Sequence, residues 1–249
     1  MVRPDPFAWT PHPEALAAIA LTAAAYALAT RRYPASRRQL ALFATAILLL
    51  AATAVTPLDS MTYHLLTAHL LQNVVLAEWA PALLVAAVPA TLAHDLDRVP
   101  GWRALTRPLV ALPLWIAVYS LWHLPPAYDT ALRHPDTLLH LEHATYLAAG
   151  VLVWWPVFQG RLPFGARAGY LFVAFALASP IGLLLAVLPE PAYDFYAGGF
   201  EPWAVSALTD QTIAGITMAA EQAAGFFALF VWAFFRFLRE EEGAEPEIV

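Results

Sequence analysis

The chain contains no cysteine and no lysine, only three methionines, and 13% charged residues over its 249 positions. The missing cysteine excludes disulfides, thiolate metal ligands and a thiol nucleophile together. Any metal site must therefore draw on imidazole, carboxylate or thioether, and Met1, Met61 and Met218 are too few for a thioether relay of the kind Cu(I) favours. The missing lysine leaves arginine alone to report charge asymmetry. The shortage of charge decides the class, because soluble domains carry about 25% charged residues. With 60% hydrophobic residues and a mean hydropathy of +0.59, this chain reads as an integral membrane protein.

Seven apolar stretches, at 13–30, 39–58, 62–89, 108–124, 137–157, 168–188 and 204–236, are long enough to cross a bilayer as helices. The reading is all-α: a polytopic bundle of seven transmembrane helices forming one integral membrane domain over 1–249. The linkers are short and carry turn residues, as in Pro34-Ala35-Ser36, Pro125-Pro126, Gly160-Arg161-Leu162-Pro163 and Gly198-Gly199. Neither a soluble module nor an internal repeat is evident, and Glu240-Glu241-Glu242 reads as a solvated end. The net charge of −6 therefore carries no implication of nucleic-acid binding. Asp5 and Glu14 interrupt what would be the basic region of a cleavable signal, so the first stretch is read as a span.

Threading seven spans places eleven of the thirteen arginines on one side: Arg31, Arg32, Arg37, Arg38, Arg98, Arg103, Arg107, Arg161, Arg167, Arg236 and Arg239. Only Arg3 and Arg133 fall on the other. The positive-inside rule then makes the arginine side cytoplasmic, with the amino terminus outside and the carboxyl terminus inside. Seven of the eight histidines fall at the opposite, outer end. His69, His143 and Asp210 lie six or seven residues inside three different spans, about 9–10 Å below the outer boundary. His123 closes the fourth span from the same side, and His140 shares a helical face with His143.

Ionisable groups inside a bilayer are expensive against lipid, so they face the bundle interior and pair with one another. The expected metal ligands are therefore His69, His123, His143, Asp210 and the shallower His140. Trp122, Tyr128, Asp129, Glu142 and Gln211 are expected to orient them. His123 stands out because Pro125 and Pro126 end its helix and fix a turn beside the imidazole. His12, His64, His94 and His134, at segment ends or in loops, are expected to be solvated. A deeper polar layer comprises Asn73, Glu78 and Glu221, the two carboxylates lying about 24–26 Å from the outer edge. If these carboxylates meet in low dielectric, they share a proton. Each residue also has a plainer reading, as polar glue between helices or, for Asp210, as a helix cap.

Three segments carry a family resemblance. Trp122-His123-Leu124-Pro125-Pro126-Ala127-Tyr128-Asp129 with Ala131-Leu132, then Leu141-Glu142-His143 with Gly150 and Trp154-Trp155-Pro156, then Asp210-Gln211 with Ala214-Gly215 and Met218, occur in that order. Together they resemble the polytopic CtaG family of bacterial assembly factors for caa3-type cytochrome c oxidase. The third span departs from the family pattern His-Met-x-x-His, since Leu70 follows His69 and Asn73 stands where a second histidine would. The Trp-x-Pro-Gly that often follows the last-helix methionine is absent too, with Ala219, Glu221 and Gln222 in its place.

The resemblance implies a non-enzymatic factor in the bacterial inner membrane. It would help mature a haem-copper oxidase, with oxidase subunits as partners and copper as the handled ion. The remaining nitrogen and oxygen donors suit Cu(II) or zinc by ligand type. Two other classes stay open from the residues alone: a membrane redox protein holding b-type haem between histidine pairs, and a proton or ion conductor built on Glu78 and Glu221.

Overall fold

The computed structural model describes residues 3–160 and 162–242. Arg161, counted above among the cytoplasmic arginines, lies outside the described residues. The principal helices among the described residues are, in chain order, α1 Pro13–Arg32, α2 Arg37–Val55, α3 Pro57–Thr62, α4 Leu66–Ala86, α5 Ala90–Leu96, α6 Pro100–Leu105, α7 Pro108–Trp122, α8 Pro125–Arg133, α9 His140–Phe158, α10 Phe164–Val187 and α11 Ala207–Glu242, with a π-turn at Pro135–Leu139 leading into α9. Among the described residues there is no strand, only an isolated bridge between Phe200 and Val205. Local chemistry sets the helix starts. Pro13, Pro57, Pro100, Pro108 and Pro125 open helices where an N–H would be unpaired anyway. Ser36 with Gln39 forms a capping box on α2, and Ser206 caps α11.

Five helices are long and apolar enough to cross a membrane: α1, α2, α4, α10 and α11. The bent pair α7 and α8 makes six if it is taken as one span, with a 70° turn at His123-Leu124. The other departures from the seven expected stretches have local causes. α7 is only 15 residues long because the 125–126 prolines redirect the chain. α9 has the length of a span, with 19 residues, but its outer turns carry His140, Glu142 and His143 and dilute its apolarity. The expected stretch 62–89 begins later, at Leu66, because α3 is a separate short helix.

α4 is the most deeply buried of the long helices and packs against α2, α9 and α11. α1, in contrast, buries none of its residues and lies at the periphery. Leu21, Leu48, Leu109 and Val187 are more than two-thirds exposed, as side chains facing acyl chains would be. Inside α4, residues Val75–Trp79 form a π-turn just before Pro81, which has no N–H to offer the Ala77 carbonyl. Gly150 of α9 lies against this irregularity. A Cβ there would stand 2.4 Å from Ala77 O and 2.6 Å from Pro81 Cγ, so only glycine admits the contact. Gly215 does the same for α11 against α10, where a Cβ would come within 2.5 Å of the Gly182 carbonyl and the Ala186 nitrogen.

Candidate metal centre

The packing of α9 on α4 brings the outer polar groups together. His69 and Asn73, one turn apart on α4, face Glu142 of α9. The Asn73 side chain donates to Glu142 Oε1 at 2.9 Å, and His69 Nε2 stands 3.6 Å from that same oxygen. His69 and Glu142 are fully buried. The ring of His143 lies edge-on to His69 with centroids 6.4 Å apart, and the Tyr128 ring packs on His69 at 4.9 Å. His123 lies beyond Tyr128, 6.4 Å from that ring. Asn73, expected in the deeper layer, donates to the outer cluster and also borders the void beside Glu78.

Hydrogen bonds fix which ring nitrogens are bare. The Tyr196 hydroxyl donates to the Thr62 carbonyl at 2.5 Å, so at 3.2 Å from His69 Nδ1 it is an acceptor, and Nδ1 carries the proton. Nε2 of His69 faces the Glu142 carboxylate at 3.6 Å. His123 Nδ1 lies 2.7 Å from the Tyr119 carbonyl, which makes it a donor and leaves Nε2 bare. Nε2 of His69, His123 and His143, together with Glu142 Oε2, are buried atoms with no hydrogen-bond partner. Each such atom costs about 1–3 kcal/mol unless something pairs with it.

The remaining expected residues build the frame. Asp210 accepts from Leu66 N at 2.5 Å and from Thr67 N and Oγ1 at 3.1 and 2.6 Å, so both its oxygens hold the start of α4. Gln211 takes the Ala192 N–H at 2.6 Å and donates to the Leu185 and Glu190 carbonyls, fastening the segment after α10. Asp129 accepts from the N–H groups of Asp194 and Phe195, and Tyr193 stacks on Tyr128 at 4.1 Å. The turn at Asp194–Tyr196 is thereby clamped beside the buried rings. Trp122 ties α7 to α9 through Thr145 at 2.9 Å.

His140 does not join the buried group. It stands at the rim of a cavity of about 430 Å³ between α1, α2, α4 and α9, with Nε2 3.4 Å from Glu14 Oε1. His12, expected to be solvated, is there too, with Nδ1 3.3 Å from the same Glu14 oxygen and Nε2 2.8 Å from Asp59 Oδ2. Burial lowers the proton affinity of His12, but the Asp59 and Glu14 carboxylates outweigh it and raise its pKa above the ordinary imidazole value. His143 lines the same cavity from within. His64 is also engaged, with Nε2 2.7 Å from the Pro4 carbonyl, whereas His134 is exposed. His12 and Glu14 were missed because contact among residues 12, 14, 59 and 140 leaves no mark in local spacing. Glu14 beside His12 at the mouth of the first apolar stretch was the available signal.

The deeper carboxylates also meet. Glu221 accepts from the Trp79 indole at 2.6 Å, and Gln222 donates to the Tyr119 hydroxyl at 2.6 Å. A void of about 10 Å³, room for one water, lies between Glu78, Asn73, Tyr119, His123, Tyr146 and Met218. It joins the two polar layers.

Among the described residues, the histidine and carboxylate donors that gather closely enough to share one ion are His12, Glu14 and His140 at the rim, whereas the buried group supplies one close donor pair, His69 and Glu142, with His143 and His123 around it. Comparison with known proteins gives an independent result: the family model described as cytochrome c oxidase caa3 assembly factor matches residues 21–240. No curated protein and no solved structure matches the chain. Since the matched region spans nearly all of the helices that carry the His/Glu cluster, the chain belongs to the family of caa3-type cytochrome c oxidase assembly factors.

Proposed function

We propose that this protein is a seven-span factor of the bacterial inner membrane, amino terminus outside. It would hold copper at its outer His/Glu cluster while a cytochrome c oxidase is being assembled. The family is one of assembly factors rather than catalysts. Copper here is cargo, and no bond to substrate is made or broken by the chain. Its ligands there are His69 and Glu142, 3.6 Å apart, with His143 next to them and His123 flanking across Tyr128. Asp210, whose oxygens are engaged by α4, keeps His69 in place instead of binding the ion. The seven-span count takes α9 as a span despite its polar outer turns, and the orientation follows from the arginine distribution.

The observation that carries this reading is His69 Nε2 facing the Glu142 carboxylate at 3.6 Å in the dry interior, with Nδ1 committed to Tyr196. An imidazole and a carboxylate held this close in a dry interior are bridged by a cation, a proton or a metal ion, and the test below separates the two. The test is elemental analysis of protein purified without a polyhistidine tag. Wild type should retain about one copper per chain, and His69→Asn with His143→Asn should lose it; equal metal content would contradict the ligand assignment. In cells, deleting the gene should lower oxidase activity and spare the other respiratory complexes, and unchanged oxidase activity would contradict the assembly role.

A further inference from the structure

The rim of the large cavity repeats the chemistry of the buried cluster at a solvent-facing position. His12, Glu14 and His140 each offer one donor atom, and the three lie within 4.8 Å of one another. Their side chains are 33%, 52% and 42% exposed, so an aqueous ion reaches them directly. A tetrahedral ion with bonds of about 2.0–2.1 Å sets neighbouring donors about 3.3–3.4 Å apart. The separations from Glu14 Oε1 to His12 Nδ1 and to His140 Nε2 are 3.3 and 3.4 Å.

A second observation concerns orientation. His12 Nε2 is held by Asp59 Oδ2 at 2.8 Å, and Asp59 is itself fixed by Gln72 Nε2 on its other oxygen at 3.2 Å. A histidine that donates one ring N–H to an anchored carboxylate presents its other nitrogen as a ligand, as metal-bound imidazoles commonly do. Below the rim the cavity wall includes His143, whose Nε2 is buried and without a hydrogen-bond partner. His140 and His143 lie one helical turn apart on α9.

We propose that His12, Glu14 and His140 form a receiving site for a divalent transition-metal ion, which passes from there through the cavity to His143. Two nitrogens and one oxygen, with no sulfur, suit Cu(II) or zinc over Cu(I). The water-facing side of the site leaves room for the ion to arrive hydrated and to leave. Glu14 links both imidazoles, and Asp59 is a positioning residue that keeps Nδ1 of His12 turned toward the ion. The receiving role rests on the reading that the buried cluster takes the ion; the rim site itself does not.

The experiment uses the full chain in lipid nanodiscs, free of any polyhistidine tag, with Cu(II) as the probe. In the first arm, electron paramagnetic resonance follows the first equivalent of copper in a His69→Asn/His143→Asn background, where only the rim can hold it, and the rim variants are added to that background. That protein should show two coordinated nitrogens, from His12 and His140. His140→Gln, at a half-buried position, and Glu14→Gln, at an exposed one, should weaken binding at least tenfold, and Asp59→Asn should lower the nitrogen count to one. In the second arm, copper that survives a membrane-impermeant chelator is measured against time. His140→Gln should slow its appearance at least tenfold and leave the final amount unchanged. Unaltered affinity in the rim variants would overturn the site, reducing it to a protonated imidazole paired with carboxylates. Weakened affinity with unslowed loading would overturn the transfer. A wild type that never acquires chelator-resistant copper would contradict the buried centre, while the first arm still decides the rim.

Discussion

Replacing Asp210 by alanine separates a helix cap from a metal ligand. The carboxylate receives the Leu66 and Thr67 amides and the Thr67 hydroxyl, all at the start of the most buried long helix. Loss of an N-terminal cap costs about 0.5–2 kcal/mol, and a buried N–H left without an acceptor costs about 1–3 kcal/mol. Asp210→Ala should therefore destabilise the fold by about 3 kcal/mol, which for a chain of this size lowers the unfolding midpoint by about 10 °C. Asp210→Asn keeps one acceptor oxygen and should lose roughly half as much. Thermal unfolding in detergent, followed by helical circular dichroism, reads the midpoint, and elemental analysis of the folded fraction reads the copper. Folded Asp210→Asn should keep wild-type copper content. A variant of wild-type stability that fails to bind copper would refute the capping assignment and return Asp210 to the ligand set.

Two further outcomes follow from the packing. Gly150→Ala sets a Cβ 2.4 Å from the Ala77 carbonyl, where backbone must move; it should cost about 3 kcal/mol by overpacking and shift α9 against α4, measured as a lower midpoint and reduced copper retention. Asp129→Ala releases the Asp194 and Phe195 amides, so the turn beside the buried rings should loosen. Its expected signature is faster removal of bound copper by chelator with little change in total binding.

Much of this arrangement is written into local sequence. Apolar run length and the scarcity of charge specify a helical membrane protein, and Pro125-Pro126 specify the turn after His123, which becomes the 70° bend. The Glu-His pair of α9 is recognisable because both groups sit too deep for lipid. Contacts set by helix rotation and neighbour choice are not legible in this way. Depth counting puts Asp210 level with His69 and His143, yet the carboxylate turns to the start of α4 because four N–H groups there have no partner within the helix. Asn73 looks like part of the deeper layer until α9 delivers Glu142 to it at 2.9 Å. His12 precedes the first span and has no depth to count, so only the folded chain brings it to Asp59, 47 residues away.

The central claim, that His69, His143 and Glu142 hold a metal ion, is tested most directly by pulsed electron paramagnetic resonance on chelator-washed, copper-loaded protein. The account predicts a Cu(II) signal with at least two imidazole nitrogens that loses one in His69→Asn and another in His143→Asn. A washed protein with no copper signal, or a signal unchanged by both substitutions, would contradict it.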